Sequence, residues 1–511
     1  MKVGTALVFV FVGSSTVEAQ AGPWQEHTIA SGVVYAVEAR AADFDGDGDL
    51  DTVSAALVGD KITVHENVGG TASAWSNHHV ASVNGASALF PLDVDADGDL
   101  DIVSAAAFDD TAAWQENVDG QGTVWSQHII STNTESVRDV FAVDVDGDGD
   151  PDVLTSSNRD NKVAWHENTS GNGSAWSEHL VATVGGAWDV CAGDIDGDGD
   201  PDVALAATNS VTWYENGSAG LLGWTETLIT PSVLNARKVA LGDFDGDGDL
   251  DVSSGTTAAS SLEWHENLSG AGSAWSTHGL PPVASAPWVS VADMEGDGDL
   301  DLLSVSGSAD TVDWHENVLG DASLWTKHGI YDSPSTGSES AEVADLDGDG
   351  DLDVVSADNS PGLVRWFENK VVSKSLVADV SGISLSQGGS QSFSFFADPP
   401  PPIHFYILLG SVAGPVPGVV VDGLLLPLTP DAYFLYTLQN PNTTVLTNTV
   451  GTLAPNGTNT APVSFNVPQG INPGLVGTNL YHAYAVVDLS TQPGSPFVSF
   501  VSDWVRVTLD P

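Results

Sequence analysis

From residue 24 onward, short runs of alternating or β-branched residues recur along the chain, each bounded by glycine, asparagine, serine or aspartate. In one copy, VFAV at 140–143 leads into an acidic stretch and DVLTSS leaves it; KVAWHEN follows, and WSEHLVA closes the unit after a Gly/Ser/Asn turn. Alternation in runs of this length predicts β-strands, and the turn-rich separators predict tight antiparallel connections. Nothing in the unit has helical spacing. The unit reads as four short strands.

The acidic stretch shows how often the unit repeats. DFDGDGDLD begins at Asp43, and related stretches begin at Asp93, Asp144, Asp194, Asp243, Asp293 and Asp345, separated by 50, 51, 50, 49, 50 and 52 residues. Trp-x-Glu-Asn keeps the same beat at Trp114, Trp165, Trp213, Trp264, Trp314 and Trp366, with Val64 in place of the first Trp. Trp-x-x-His begins at Trp24, Trp75, Trp125, Trp176, Trp275 and Trp325, and Trp224 is followed by Thr227 instead. These two signatures absorb 13 of the 16 tryptophans, which makes them packing residues first. Seven copies of a four-stranded unit predict an all-β fold, a seven-bladed β-propeller over 22–370, because radial repetition buries every blade face and leaves short edges. The first signature is of the fourth-strand type and the last of the third-strand type. The N-terminal strand should therefore complete the last blade, a three-plus-one closure.

Five carboxylates in nine residues demand a cation. With Asp43 as position 1, side-chain oxygens fall at 1, 3, 5 and 9, Gly48 at 6 permits a sharp turn, and residue 7 offers its carbonyl, which is the first part of an EF-hand calcium loop. Position 12 is Ser54, Ser104, Thr155, Leu205, Ser254, Ser304 and Ser356 rather than Glu, and the flanks are strands, so the copies are not EF-hands. The candidate metal-site residues are Asp43, Asp45, Asp47, Asp49 and Asp51; Asp93, Asp95, Asp97, Asp99 and Asp101; Asp144, Asp146, Asp148, Asp150 and Asp152; Asp194, Asp196, Asp198, Asp200 and Asp202; Asp243, Asp245, Asp247, Asp249 and Asp251; Asp293, Glu295, Asp297, Asp299 and Asp301; and Asp345, Asp347, Asp349, Asp351 and Asp353. They are half of the chain's 70 acidic residues, and the expected cofactor is Ca²⁺, up to seven ions, one per blade.

A formal charge of −57 with 13 Lys plus Arg argues against nucleic acid as a partner, since such a chain repels phosphate. Lys2, the apolar run Val3 to Val12 and the small-x-small Ala19-Gln20-Ala21 read as a signal peptide over 1–21, which predicts a secreted, extracellular or cell-surface protein. That run is too short to span a bilayer, and no membrane insertion is expected. Cys191 is a single cysteine in an apolar strand, so no disulfide framework exists.

The DxDGDGDxD loops with their Trp-x-Glu-Asn strands resemble the FG-GAP/VCBS family of calcium-binding propeller repeats, related in architecture to the integrin α-subunit head. The resemblance implies calcium in the loop between the first and second strands of each blade, on the face opposite the usual ligand face. Glu295 departs from the pattern in the sixth copy. The family spans adhesion heads, lectins and non-catalytic modules along with some sugar lyases and dehydratases, so it leaves function open. A binding or adhesion protein recognising a glycan or an extracellular surface protein is the leading expectation. A polysaccharide lyase or sugar dehydratase on the same ring is the alternative, and a purely structural surface module the third. Ten of the 13 histidines recur with the repeat, as a structural fixture does and a catalytic group does not, and no nucleophile elbow, His-Glu-x-x-His or phosphate loop occurs.

The copies disagree six and five residues before each acidic loop, at Val37-Glu38, Ser87-Ala88, Arg138-Asp139, Trp188-Asp189, Arg237-Lys238, Pro287-Trp288 and Glu339-Ser340. Such groups converging at the mouth of the axis make a candidate ligand surface. Trp188 or Trp288 would stack on a sugar face, and Arg138 and Arg237 would engage a carboxylate or sulfate. After Lys370 the acidic loops stop, and 371–511, with alternating runs such as HAYAVVDL and FVSFVSDWVRVTL, predicts a C-terminal β-sandwich-like domain.

Overall fold

The computed structural model describes residues 24–369, apart from 218–222, 231–234, 258–261, 284, 308 and 333–336, and beyond them the backbone of strands between Leu376 and Asp510. The expected signal peptide lies outside the described residues. Seven four-stranded antiparallel sheets form the propeller: blade 1 (36–81), blade 2 (86–131), blade 3 (137–183), blade 4 (187–230), blade 5 (236–279), blade 6 (288–332) and blade 7. Blade 7 takes Ser338–Ala344, Asp353–Asp358 and Leu363–Asn369 and adds Trp24–Ser31 as its outer strand, with Trp24 opposite Asn369 and Ser31 opposite Leu363. The three-plus-one closure is therefore present in the expected register. No helix occurs among the described residues of the ring.

Burial along a blade explains the residues in each strand. The second strand, DTVSAA in blade 1, is buried at every position because blades pack on both of its faces. Small and β-branched residues are what fit between sheets this close. The outer strand buries its C-terminal end and exposes the rest, as in WSNHHVA. The core consequently lies between neighbouring blades: Val53, Ile62 and Val80 of blade 1 pack with Leu89 and Ile102 of blade 2 in one apolar cluster.

The second unit, chiefly Val371–Pro511, contains antiparallel ladders of its own. His404–Ser411 pairs along its length with Asn479–Asp488, and Gly389–Phe395 pairs with Val463–Val467.

Candidate functional site

Each acidic loop turns between the first and second strands of its blade. Gly48, at φ 97°, supplies the left-handed turn that position 6 was expected to need, and Ala96 adopts φ 61° where other copies place glycine. The closing aspartate is buried and doubly held: Asp51 Oδ2 accepts the Phe44 N–H at 3.1 Å and its Oδ1 accepts the Asn67 N–H at 2.8 Å. Asp301 makes the same two bonds, with Met294 and Asn317, at 3.0 and 2.8 Å, in the blade that carries Glu295. Asp43, Asp45 and Asp51 bring oxygens within 4.8 Å of one another, as do Asp93/Asp95/Asp101, Asp144/Asp146/Asp152, Asp194/Asp196/Asp202 and Asp243/Asp245/Asp251. Positions 1, 3 and 9 thus converge.

Positions 5 and 7 do not join these groups. Asp47 Oδ1 accepts the Asp49 N–H at 3.0 Å, and the Asp49 carboxylate lies against Gly70, where a Cβ would sit 2.0 Å from it. The loop backbone is folded around carboxylate acceptors, with the Asp43 oxygens taking the N–H groups of Gly46 and Gly48. Burial, then the charge of neighbouring aspartates, pushes Asp51 up to about 6 and Asp101, Asp152, Asp202 and Asp251 up to about 7. Three converging hard oxygens, with burial raising the pKa of the carboxylates at positions 3 and 9, suit a divalent oxygen-seeking cation such as calcium.

The repeated histidines are structural. His128 Nε2 lies 2.7 Å from Glu116 Oε2 and its ring stacks on Trp114 at 4.5 Å; the pairs His179/Glu167 on Trp165 and His278/Glu266 on Trp264 repeat this. The other set, His65, His166, His265 and His315, is buried against the position-12 hydroxyls: Ser54, Thr155, Ser254 and Ser304 lie 2.8–3.1 Å from their Nε2 atoms. Blade 2 places Gln115 on the same serine, Ser104, blade 4 has Leu205 and Tyr214 in one apolar cluster, and blade 7 keeps Ser356 where Phe367 takes the place of the histidine.

The asparagine of Trp-x-Glu-Asn joins blades. Asn117 Nδ2 donates to Phe44 O of the preceding blade's loop at 2.8 Å while its backbone N–H holds Asp101. Asn67 does the same across the closure, to Leu346 O at 2.8 Å. Each such residue touches two acidic loops.

The variable residues separate into two sets. In six blades the residue six before the loop is the extra residue of a β-bulge: Val37, Ser87, Arg138, Trp188, Arg237 and Glu339. In blade 6 the inner strand starts at Trp288 with no bulge, and Pro287 stands at the corresponding place. A bulge re-aims a side chain out of the pleat, and all seven residues line one cavity of about 560 Å³ at the axial mouth. Except at Ala88 of blade 2, the residue five before the loop instead ties the ring. An inner strand is an edge strand with N–H groups that its own sheet leaves unpaired. Glu38 accepts the Leu89 N–H at 2.8 Å, Asp139 that of Val190 at 3.1 Å, Asp189 that of Val239 at 2.8 Å and Ser340 that of Ala39 at 3.3 Å. Trp288 belongs to this second set: its Nε1–H donates to Ala341 O at 2.7 Å, and Arg40 and Lys238 stand over its ring at 5.5 and 4.5 Å. Packing therefore did not keep this position uniform, because a carboxylate, a hydroxyl or an indole can each make the tie.

Arg138, Trp188 and Arg237 meet at the mouth. The guanidinium carbons lie 4.8 and 3.3 Å from the Trp188 ring centre. Among the described residues neither arginine has an ion-pair partner, and each buried Nε lacks a hydrogen-bond acceptor. Burial lowers both guanidinium pKa values; Arg159 adds to this at Arg138, and Arg138 adds to it at Arg237. By contrast Lys238 is locked to Asp189 at 2.5 Å and Arg40 to Glu38 at 2.6 Å. Tyr35, 41% exposed, and Glu339 complete the rim. Sequence reasoning passed over Tyr35 and Arg159, which lie outside the repeat signatures.

A family model for the FG-GAP-like repeat matches residues 43–104, 93–155, 144–205, 194–254 and 293–356. No curated protein matches the chain. Similar solved structures include the Photorhabdus luminescens Tc holotoxin pore (14% identity, TM-score 0.35), of which the chain spans 16% while 73% of the chain is covered. Others are the exotype rhamnogalacturonan lyase YesX (12%, TM-score 0.41, covering 68% of this chain and 73% of that one) and an auxiliary nutrient binding protein from Bacteroides ovatus (9%, TM-score 0.39, covering 68% and 77%).

Proposed function

The chain belongs to the FG-GAP-like repeat family, and from that premise we propose that it is a secreted, calcium-stabilised propeller that binds a glycan or an extracellular surface protein at its axial mouth. One observation carries the reading: the bulged residues at which the copies differ all face one cavity, and two of them are arginines without an ion-pair partner among the described residues of a chain of charge −57. Among the described residues Glu339 acts on Arg237 without forming an ion pair with it and Arg138 has no carboxylate partner, so both guanidinium groups are available to a ligand anion, and burial strengthens their pull.

Calcium, when bound, neutralises the converging carboxylates. Asp43, Asp45 and Asp51 and their counterparts would hold it, and the closing aspartates would fix the loops to the third strands through the Asn N–H groups. The inner strands, tied blade to blade, then hold the bulged side chains in fixed positions. The alternative, lyase or dehydratase chemistry, needs a base in the cavity. Lys238 is held as an ammonium by Asp139 and Asp189, and the Tyr35 phenol and the Glu339 carboxylate, which line the same cavity, are the candidates for that role. Glycan-array and surface-protein binding of the full chain with calcium, beside an absorbance assay for unsaturated sugar products, tests the two readings together. Ligand capture without product supports binding; product formation lost in Tyr35→Phe would transfer the site to the enzyme reading.

A further inference from the structure

Resting on the reading of the axial mouth as the ligand site, we propose that its ligand is an acidic sugar at the end or on a side branch of an acidic polysaccharide, seated by Arg138 and Arg237.

Side chains from several blades cross the axis below the mouth and floor it as a cup. A second cavity of about 360 Å³ lies beyond the first, and both are lined by Asp139, Lys238 and Trp288. Those three residues form the dividing layer, with Lys238 between Asp139 and Asp189 at 3.9 and 2.5 Å and over Trp288 at 4.5 Å. Arg40 continues the layer through Trp288 to Glu38 and, at 3.6 Å, to Glu342. Opening it would strip a buried ammonium and its carboxylates of their partners, which is costly. Threading a polymer would require that opening, so a polymer presents an end or a branch to the cup.

Charge sets the sign of the group. The cup offers two guanidinium groups that have no ion-pair partner among the described residues, while Glu339 and the carboxylates of the dividing layer stand nearby. A negative charge gains from both arginines, which a neutral sugar cannot. The indole faces argue against a neutral sugar as the anchor. Arg237 stacks at 3.3 Å on Trp188, and Trp288 stands under Arg40 and Lys238. Stacking surface is thereby given to cations, and recognition falls to the guanidinium N–H edges, which pair with a carboxylate or a sulfate ester. A terminal uronate and a terminal sulfated sugar share this chemistry.

The test uses the full chain with calcium and isothermal titration. Probes are short uronate-ended fragments of hyaluronan and other polyuronates, sulfated chondroitin fragments, neutral xylo-oligosaccharides, and the long parent polymers. Fragments bearing an acid are expected to bind and neutral ones not, with stoichiometry that counts chain ends: at equal mass a long linear polymer titrates far less protein than its fragments. Whether uronate or sulfate fragments bind identifies the source of the anion. Arg138→Ala and Arg237→Ala should each weaken binding roughly tenfold or more, and Arg237→Lys less, all with unchanged melting temperature. If protein bound per unbranched polymer rises with its length while the arginine variants still lose binding, chain-end recognition is overturned and the anion site stands. If no acidic fragment binds, or the arginine variants bind as the parent does, the ligand class is wrong, and the array binding above decides separately whether the mouth binds anything else.

Discussion

Lowering the pH should destabilise the ring through four imidazoles that the fold keeps neutral. His65, His166, His265 and His315 are 0–1% exposed, and burial lowers the first three from 6.5 to about 4 and His315 to about 3. Above pH 6.5 each is neutral in both the folded and unfolded chain and costs nothing. Between 6.5 and about 4 the unfolded imidazole takes a proton that the folded one refuses, so stability falls as pH falls. Linkage puts the loss at about 3 kcal/mol for each histidine at pH 4, an order-of-magnitude figure. Four such losses rival the whole stability of a typical domain. Blade 2 shows the remedy: Gln115 donates its Nε2–H to Ser104 at 2.7 Å from the same position. His265→Gln should keep a bond to Ser254, lose the 3.0 Å contact with Thr277 and cost about 1 kcal/mol at pH 7. At pH 4 it should be the more stable protein by about 2 kcal/mol, the linkage gain less that cost. Urea unfolding followed by tryptophan fluorescence, in calcium at both pH values, reads the difference; protonation of the acidic loops affects both proteins alike and cancels. Equal losses by variant and parent between pH 7 and pH 4 would refute the argument.

Chelation should lower the melting temperature by more than about 10 °C, since each saturated site contributes on the order of 2–3 kcal/mol. The chelated protein should also lose stability as pH rises from 6.5 to 8, because carboxylates raised to about 6 or 7, as Asp51 and Asp101 are, stabilise the fold only while protonated. Ala96→Gly should raise stability by about 0.5–1 kcal/mol in urea melts by relieving a left-handed alanine at φ 61°. Asn117→Ala strips buried partners from Phe44 O and Leu100 O; a cost of about 2–4 kcal/mol should come with weaker calcium uptake in calorimetric titration. Deleting 22–32 removes the outer strand of blade 7, with the His27 stack on Trp366 at 4.6 Å and the Glu26 pair with Arg365 at 2.9 Å, and should yield aggregated protein in size-exclusion chromatography.

The blade count, strand order and closure were legible in the sequence because every copy writes them locally: loop, Trp-x-Glu-Asn and Trp-x-x-His each mark a strand end. The candidate mouth was legible as well, in the disagreement among copies. What the pattern concealed was the division of adjacent residues between two tasks. Arg138 and Asp139 are neighbours in sequence, yet a bulge sends the first to the cavity and leaves the second to hold Val190, 51 residues on. Register shifts arise from strand pairing, which alternation alone does not encode. The Ser54–His65 pairing was similarly hidden, because the serine recurs at Ser104 and Ser356 where Gln115 and Phe367 replace the histidine. The cover of Arg237 on Trp188 joins residues of different blades, 49 apart, and only the closed ring brings them together.

The separation of binding from stability is the central claim, and one comparison tests it most directly. Ligand affinity and melting temperature are measured together, in calcium, for the parent, for a double Arg138→Ala, Arg237→Ala variant and for Asp194→Ala. The double variant is predicted to melt as the parent does and to lose at least roughly a hundredfold in affinity; Asp194→Ala is predicted to melt lower and, where still folded, to bind nearly normally. Normal binding by the double variant, with binding abolished by deletion of residues 371–511, would contradict the account and move the ligand site off the propeller.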